Sequence, residues 1–255
     1  MRVQYCSDLH LENPDNYNFI KENGIQPEGD VLILAGDTIE LGSNNDSYKH
    51  FFDDISKKFE QVFMIPGNHE FYGGADPDAY NIPMKIKVRK NVSLVNNMSV
   101  VYKNTNFLFT TLWSMIQLRN EGMVKQMVPD FKFIKSKGKA LTVVGYNSLF
   151  KRSLKFLEMA VDRNEAEKTV VVTHHMPTKL CNTKEFAAND ELNDAFCVEL
   201  HDFIYASGAD YWVYGHSHRN RPSVQVNQTK LVTNQLGLVE YGEHNSFDPK
   251  ATFDV

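Results

Sequence analysis

VFMIPGNHEFYGG, residues 62–74, opens as a buried strand and breaks off into polar chemistry. Val62, Phe63, Met64 and Ile65 suit a core strand, and Pro66 followed by Gly67 stops it. Asn68, His69 and Glu70 come next, so an amide, an imidazole and a carboxylate enter one tight turn. In open α/β sheets the carboxyl edge of the strands is where ligand sites form, and this turn predicts such an edge.

Four other apolar runs end in the same way. Runs 1–6, 30–35, 168–173 and 211–214 are apolar on both faces, as expected for central strands of a covered sheet. Asp8 and His10 follow the first, in SDLH, and Asp37 follows the second, in AGD. His174 and His175 follow the third, and His216 and His218, in GHSH, follow the fourth. Of the 9 histidines, His10, His69, His174, His175, His216 and His218 sit in these turns. His50, His201 and His244 lie elsewhere and read as surface or helix residues. Unrelated turn residues would not be expected to collect at one sheet edge.

Between the strands lie amphipathic stretches. Tyr48, Phe51, Phe52, Ile55 and Phe59 form one apolar face at helical spacing within 46–60. Leu149, Phe150, Leu154, Leu157 and Val161 form a second, and Leu192, Phe196, Leu200, Phe203 and Ile204 a third. Strand–helix alternation predicts an α/β architecture in one domain over 1–255, with no repeat or linker dividing it. Residues 91–113 predict two or three short antiparallel strands, and KLVTN and ATFDV predict the last strands. Residues 114–139 lack a clean period and read as an irregular excursion capping one end of the sheet, with Met115, Met123 and Met127 as gap-fillers or substrate-lining groups.

Bulk properties suit an enzyme rather than a nucleic-acid or membrane protein. The chain has 255 residues, 42% apolar and 23% charged, enough for a full core. A net charge of −5 provides no general attraction for long nucleic acid or anionic lipid. Cys6, Cys181 and Cys197 are too few and scattered for a disulfide framework, and no apolar run approaches the ~20 residues of a membrane span. The expectation is a soluble, reduced, cytoplasmic protein.

Imidazoles, carboxylates and an amide without thiolates suit Mn, Fe, Zn or a similar divalent ion. The seven groups Asp8, His10, Asp37, Asn68, His174, His216 and His218 exceed one tetrahedral ion but suit two ions sharing a carboxylate.

Taken in order, DLH, GD, GNHE, THH and GHSH, spanning residues 8–218, resemble the calcineurin-like metallophosphoesterase superfamily. TTLW, VPDF and NQLGLVEYG...FDP extend the likeness to a bacterial and phage branch of uncharacterised members. The resemblance implies an α/β fold built as a four-layer αββα sandwich, with two mixed β-sheets and the metal site at the carboxyl ends of the central strands. It implies one metal on Asp8, His10, Asp37 and His218, and a second on Asp37, Asn68, His174 and His216, with manganese favoured and Asp37 bridging. A hydroxide between the metals would attack phosphorus. Asn68 would also face a phosphate oxygen, and His69 would be the general acid or a stabiliser of charge on the phosphoryl oxygens. Glu40, in GDTIELG, stands where relatives carry the carboxylate that orients this histidine; a solvated loop glutamate is the alternative. Glu70 is expected to anchor the turn through backbone N–H groups. His175 is assigned to substrate contact, with a role behind the ligands or simple packing as alternatives.

Departures from relatives narrow the substrate. Protein Ser/Thr phosphatases carry an aspartate–arginine pair where this chain has Glu40 and Leu41, so the phosphate-gripping arginine is missing unless Arg219 or Arg221 replaces it. The expectation is a small phosphoester, with a diester favoured, and neither long nucleic acid nor a membrane as partner. A phosphomonoesterase or protein phosphatase is the nearer alternative, and a non-catalytic metal-binding scaffold the more distant one.

Overall fold

The computed structural model describes residues 1–42, 48–163, 166–183 and 190–255. The predicted strands form at β1 (Arg2–Cys6), β2 (Val31–Ala35), β3 (Gln61–Ile65), β10 (Lys168–Val172) and β11 (Tyr211–Val213). They do not share one sheet. The first sheet runs β14-β1-β2-β3-β5-β4, with β4 at Met84–Arg89, β5 at Val92–Asn96 and β14 at Thr252–Asp254. The second runs β12-β13-β11-β10-β7-β6, with β6 at Met98–Tyr102, β7 at Thr105–Phe109, β12 at Val224–Val226 and β13 at Thr229–Val232. A two-stranded ribbon, β8 (Lys135–Ser136) with β9 (Lys139–Ala140), stands apart.

Each sheet is parallel at its centre and antiparallel at both edges. Residues 91–113 hold three strands, but only β6 and β7 make an antiparallel hairpin. β5 runs parallel to β3. Asn97 alone separates β5 from β6 and turns the chain from one sheet into the other, at a left-handed φ of 45°. Asparagine tolerates that conformation better than most residues.

Three apolar layers result, and they define an αββα sandwich. Val31, Ile33, Phe63, Ile65, Phe107, Phe109, Val170 and Val172 interleave between the sheets. The helices α1 (Pro14–Asn23) and α2 (Lys49–Lys58) cover the outer face of the first sheet, where Phe52 and Ile55 meet Leu32, Leu34 and Val62. The outer face of the second carries the 20-residue α6 (Val143–Asp162), whose Leu149, Phe150 and Leu157 are buried as its spacing predicts. Phe63 is 1% exposed and its ring packs 5.0 Å from Phe109 and 5.8 Å from Phe107. Phe63→Ala is expected to cost about 3–5 kcal/mol in urea unfolding, because a cavity between two sheets cannot collapse easily.

The third predicted stripe is not one helix. Its apolar residues do pack against the second sheet's core, but as α7 (Asp190–Asn193) and α8 (His201–Ser207), separated by an extended stretch. There the backbone bonds leave the helix pattern: Met176 N donates to Phe196 O at 3.2 Å and Val198 N to Met176 O at 3.1 Å. Residues 114–139 fold as α4 (Glu121–Met127) and α5 (Asp130–Phe133) followed by most of the small ribbon, with Met123 and Met127 exposed rather than filling core. Among the described residues, no helix is long and apolar enough to cross a membrane.

Candidate metal centre

The turns that leave the strands are strained where the chemistry sits. Asp8, His10, Asp37, His216 and His218 all have left-handed backbone, with φ between 44° and 76°. For such residues each costs about 1–3 kcal/mol, and strain of this kind clusters at functional sites. Ties between turns hold it in place: Asp8 N donates to Gly36 O at 3.0 Å, His10 N to Asp37 O at 2.9 Å and Gly215 N to His174 O at 2.9 Å. Glu70 anchors the opening turn as expected. Its buried carboxylate accepts from the backbone N–H of Asp37 (2.9 Å), Thr38 (2.7 Å) and Gly67 (2.6 Å). Burial and the Asp37 charge push this carboxyl up, while the Thr38 and Gly67 donors pull it down.

Two ligand groups share one carboxylate, and His10, Glu12 and His69 form a third group beside them. Atoms of Asp8, His10, Asp37 and His218 lie within 4.8 Å of one another, as do atoms of Asp37, His174 and His216. Asn68 Oδ1 lies 3.1 Å from His174 Nε2, which adds an amide oxygen to the second group. His10 Nε2 and His218 Nε2 are 2.9 Å apart, and Asp37 Oδ2 is 3.2 Å from His174 Nε2 and 3.8 Å from His10 Nε2. Nitrogen and oxygen donors converging without thiolates fit borderline or hard divalent cations. Gly67 leaves the space they need: a Cβ there would collide with Asp37 Oδ1 and stand 2.7 Å from His174 Nε2.

The outer ring nitrogens of these histidines are occupied, which aims the inner ones. His10 Nδ1 is 3.0 Å from Glu12 Oε1, and His218 Nδ1 is 2.7 Å from Glu243 Oε2. His174 Nδ1 meets Ala35 O at 2.9 Å, and His216 Nε2 meets Ala195 O at 3.3 Å. Carboxylate or carbonyl partners of this kind fix the tautomer and ring orientation of metal-binding histidines. Burial lowers His10 and His216, favouring the neutral ring a metal requires. Burial alone would raise Asp37, but the charges of His174 and His69 and the hydrogen bond from His174 hold it well below the usual carboxylate range.

His69 opens a short 3-10 turn, its side chain about a quarter exposed. Its N–H donates to Asp37 Oδ1 at 2.9 Å, and its ring stacks on Tyr72 with centroids 4.2 Å apart. The carboxylate bonded to its Nδ1 is Glu12, at 3.2 Å, whereas the resemblance implies Glu40 for that task. Glu40 lies half-buried nearby, its carboxyl raised by partial burial and by the charge of Glu12. Burial alone would raise Glu12, but hydrogen bonds from His10 and His69 hold it at about 2. Burial alone would lower His69, but Asp37 and Glu12 raise it to about 9.

For His175 the structure fits the alternatives to substrate contact. It is 0% exposed, its ring 4.1 Å from that of His216, with Nε2 on the Tyr146 hydroxyl at 3.0 Å. A group so enclosed packs against His216 and Tyr146. Glu12, Glu243 and Asp130 were not anticipated. Glu12 stands two residues beyond His10 in DLHLE, whereas Glu243 and Asp130 lie in the NQLGLVEYG...FDP and VPDF segments that supported the branch resemblance.

Comparison with known proteins agrees with this geometry. The family model described as calcineurin-like phosphoesterase matches residues 1–220. The chain belongs to that family. An uncharacterised protein of Acanthamoeba polyphaga mimivirus is 30% identical, covering 100% of this chain and 97% of its own. A probable glycerophosphodiester phosphodiesterase of Arcobacter nitrofigilis is 23% identical across 71% of this chain and 59% of its own length. In fold, this phosphoesterase is similar to a phosphopantetheinyl hydrolase of Mycobacterium tuberculosis, with a TM-score of 0.68, 17% identity and coverage of 93% and 90% of the two chains. Membership supports a hydrolase acting on phosphoesters with divalent metals.

Proposed function

We propose that this phosphoesterase hydrolyses a small phosphoester, with a diester preferred, using two divalent ions of which manganese is favoured. The observation that carries the reading is the pair of ligand groups joined at Asp37, with the His69 backbone N–H donating to the same carboxylate and its ring set beside the cluster. Asp8, His10, Asp37 and His218 would hold one ion, and Asp37, Asn68, His174 and His216 the other. When bound, such a pair activates a water as nucleophile and polarises the phosphoryl oxygens. The protein supplies the rest: Asn68 and the histidines orient the phosphate, and His69 holds a proton on the leaving-group side. A purely binding role would not require a partly exposed histidine outside the ligand groups with a carboxylate, shared with His10, on its Nδ1.

Charge favours the diester. Asp8 and Asp37 would face the ions, and Glu12 and Glu243 are bonded to the far nitrogens of His10 and His218, so the site would be less positive than its two innermost carboxylates suggest. Neither arginine near GHSH is free to serve as a clamp. Arg219 donates to Glu243 Oε1 at 2.9 Å, and Arg221 Nη1 donates to the carbonyls of Leu180 and Asn182. A monoester dianion gains most from a bidentate guanidinium, so its absence weighs against monoesters and phosphoproteins. Beside His218 lies a cleft of about 420 Å³, lined by Arg219, Asn220, Tyr241, Glu243, Asn245 and Ser246, a size suited to a small molecule. The diester named for the Arcobacter relative supports the same class. The net charge of −5 argues against long nucleic acid, and three buried free cysteines suit a reducing cytoplasm.

With Mn²⁺ loaded, kcat/KM for bis-p-nitrophenyl phosphate is expected to exceed that for p-nitrophenyl phosphate. A tenfold monoester advantage, or efficient dephosphorylation of phosphopeptides, would sink the preference. No turnover of either ester by protein holding two metals would favour the non-catalytic scaffold.

A further inference from the structure

We infer that Asp130 is a positioning residue: it fixes the amide of Asn68 so that its oxygen, rather than its nitrogen, faces the second metal position. This rests on the two-metal reading above. An asparagine amide can be placed either way round, and only its oxygen has a lone pair for a cation. Here Asn68 Nδ2 donates to Asp130 Oδ1 at 2.9 Å while Asn68 Oδ1 lies 3.1 Å from His174 Nε2. Flipping the amide would set its oxygen against a buried carboxylate, acceptor against acceptor, and turn an NH₂ toward the ligand cluster.

The carboxylate cannot easily retreat. Asp130 is 0% exposed and lies at the start of α5, between Val128 and Phe131, each 8% exposed, with Ile134 at 0% beyond them. All three apolar side chains belong to the core of the second sheet. Asp130 Oδ1 also accepts from the Tyr72 hydroxyl at 2.6 Å, and the Tyr72 ring stacks on His69. Asp130 Oδ2 is buried without a hydrogen-bond partner. A buried carboxylate with one oxygen carrying both donors and the other carrying none is costly as a purely structural device. The excursion at 114–139 thus reaches into the site through one side chain, and it touches both Asn68 and, through Tyr72, His69.

Mn²⁺ titration by calorimetry, with elemental analysis of the loaded protein, tests this. Asp130→Ala should weaken the second metal by about 10–100-fold while leaving the first near its wild-type affinity. Asn68→Ala should weaken the same metal, and the double variant should be no worse than Asn68→Ala alone, because Asp130 acts through that amide. Asp130→Asn keeps an oxygen acceptor in place and should recover most of the affinity, which guards against a folding defect in the alanine variant. Additive losses in the double variant, equal losses at both metals, or an unchanged second metal in Asp130→Ala would each overturn the inference. If wild-type protein takes up fewer than two equivalents, the two-metal reading itself fails.

Discussion

Asp37→Asn is expected to reduce bound metal from two equivalents to one or fewer and to lower kcat/KM by on the order of 10³-fold, since metal clamping is worth several kcal/mol of transition-state stabilisation. The substitution is nearly isosteric. Its oxygen can still accept the His69 N–H that Asp37 Oδ1 now accepts at 2.9 Å. What disappears is the second oxygen, which faces His174 Nε2 at 3.2 Å and His10 Nε2 at 3.8 Å and so belongs to both ligand groups. An NH₂ there cannot ligate, and the negative charge that draws two cations together is gone. Elemental analysis after Mn²⁺ loading and desalting decides the matter. Two equivalents retained at wild-type affinity would mean that Asp37 does not join the sites.

Much of this arrangement is legible in the sequence because it depends on local chemistry. Strands that are apolar on both faces and stop at Gly or Pro mark the sheet edge, and polar residues in the next few positions fall there automatically. Helix α6 is equally readable, since its 20 residues give period enough to distinguish it. The division into two sheets is legible only through the family resemblance, because in the chain itself the first crossing between sheets rests on the single residue Asn97. The stripe at 192–204 misleads because Met176 takes hydrogen bonds that a helix would have kept internal. At the site, the residues that converge are legible and their hydrogen-bond partners are not. Glu12 Oε1 meets both His10 and His69, 57 positions away, in a turn where His10 has a left-handed φ of 44°, which no spacing rule encodes. Glu243 meets a histidine 25 positions away, and Asp130 an asparagine 62 positions away. Such partners exist only once the chain has folded.

His69→Ala should leave both metals in place yet lower kcat by about 10²–10⁴-fold, the range typical of general acid–base catalysis. Its imidazole is not among the seven inner ligand groups, so metal content is the control that separates chemistry from binding. The surroundings suit a proton donor. Glu12 Oε1 lies 3.2 Å from Nδ1, the ring stacks on Tyr72, and the side chain keeps about a quarter of its surface accessible. A donor of this kind matters in proportion to the basicity of the group it protonates. The loss should therefore be large for an alkyl diester, whose alkoxide leaves poorly, and should shrink for bis-p-nitrophenyl phosphate, whose phenolate leaves without help. Glu12→Gln should reproduce part of the defect, because it removes the charge that holds the ring in its protonated, oriented form, and the defect should carry the same leaving-group dependence. Equal losses across good and poor leaving groups would assign His69 to stabilising charge on the phosphoryl oxygens instead. Loss of a metal in His69→Ala would show that the histidine supports the ligand cluster rather than the proton transfer.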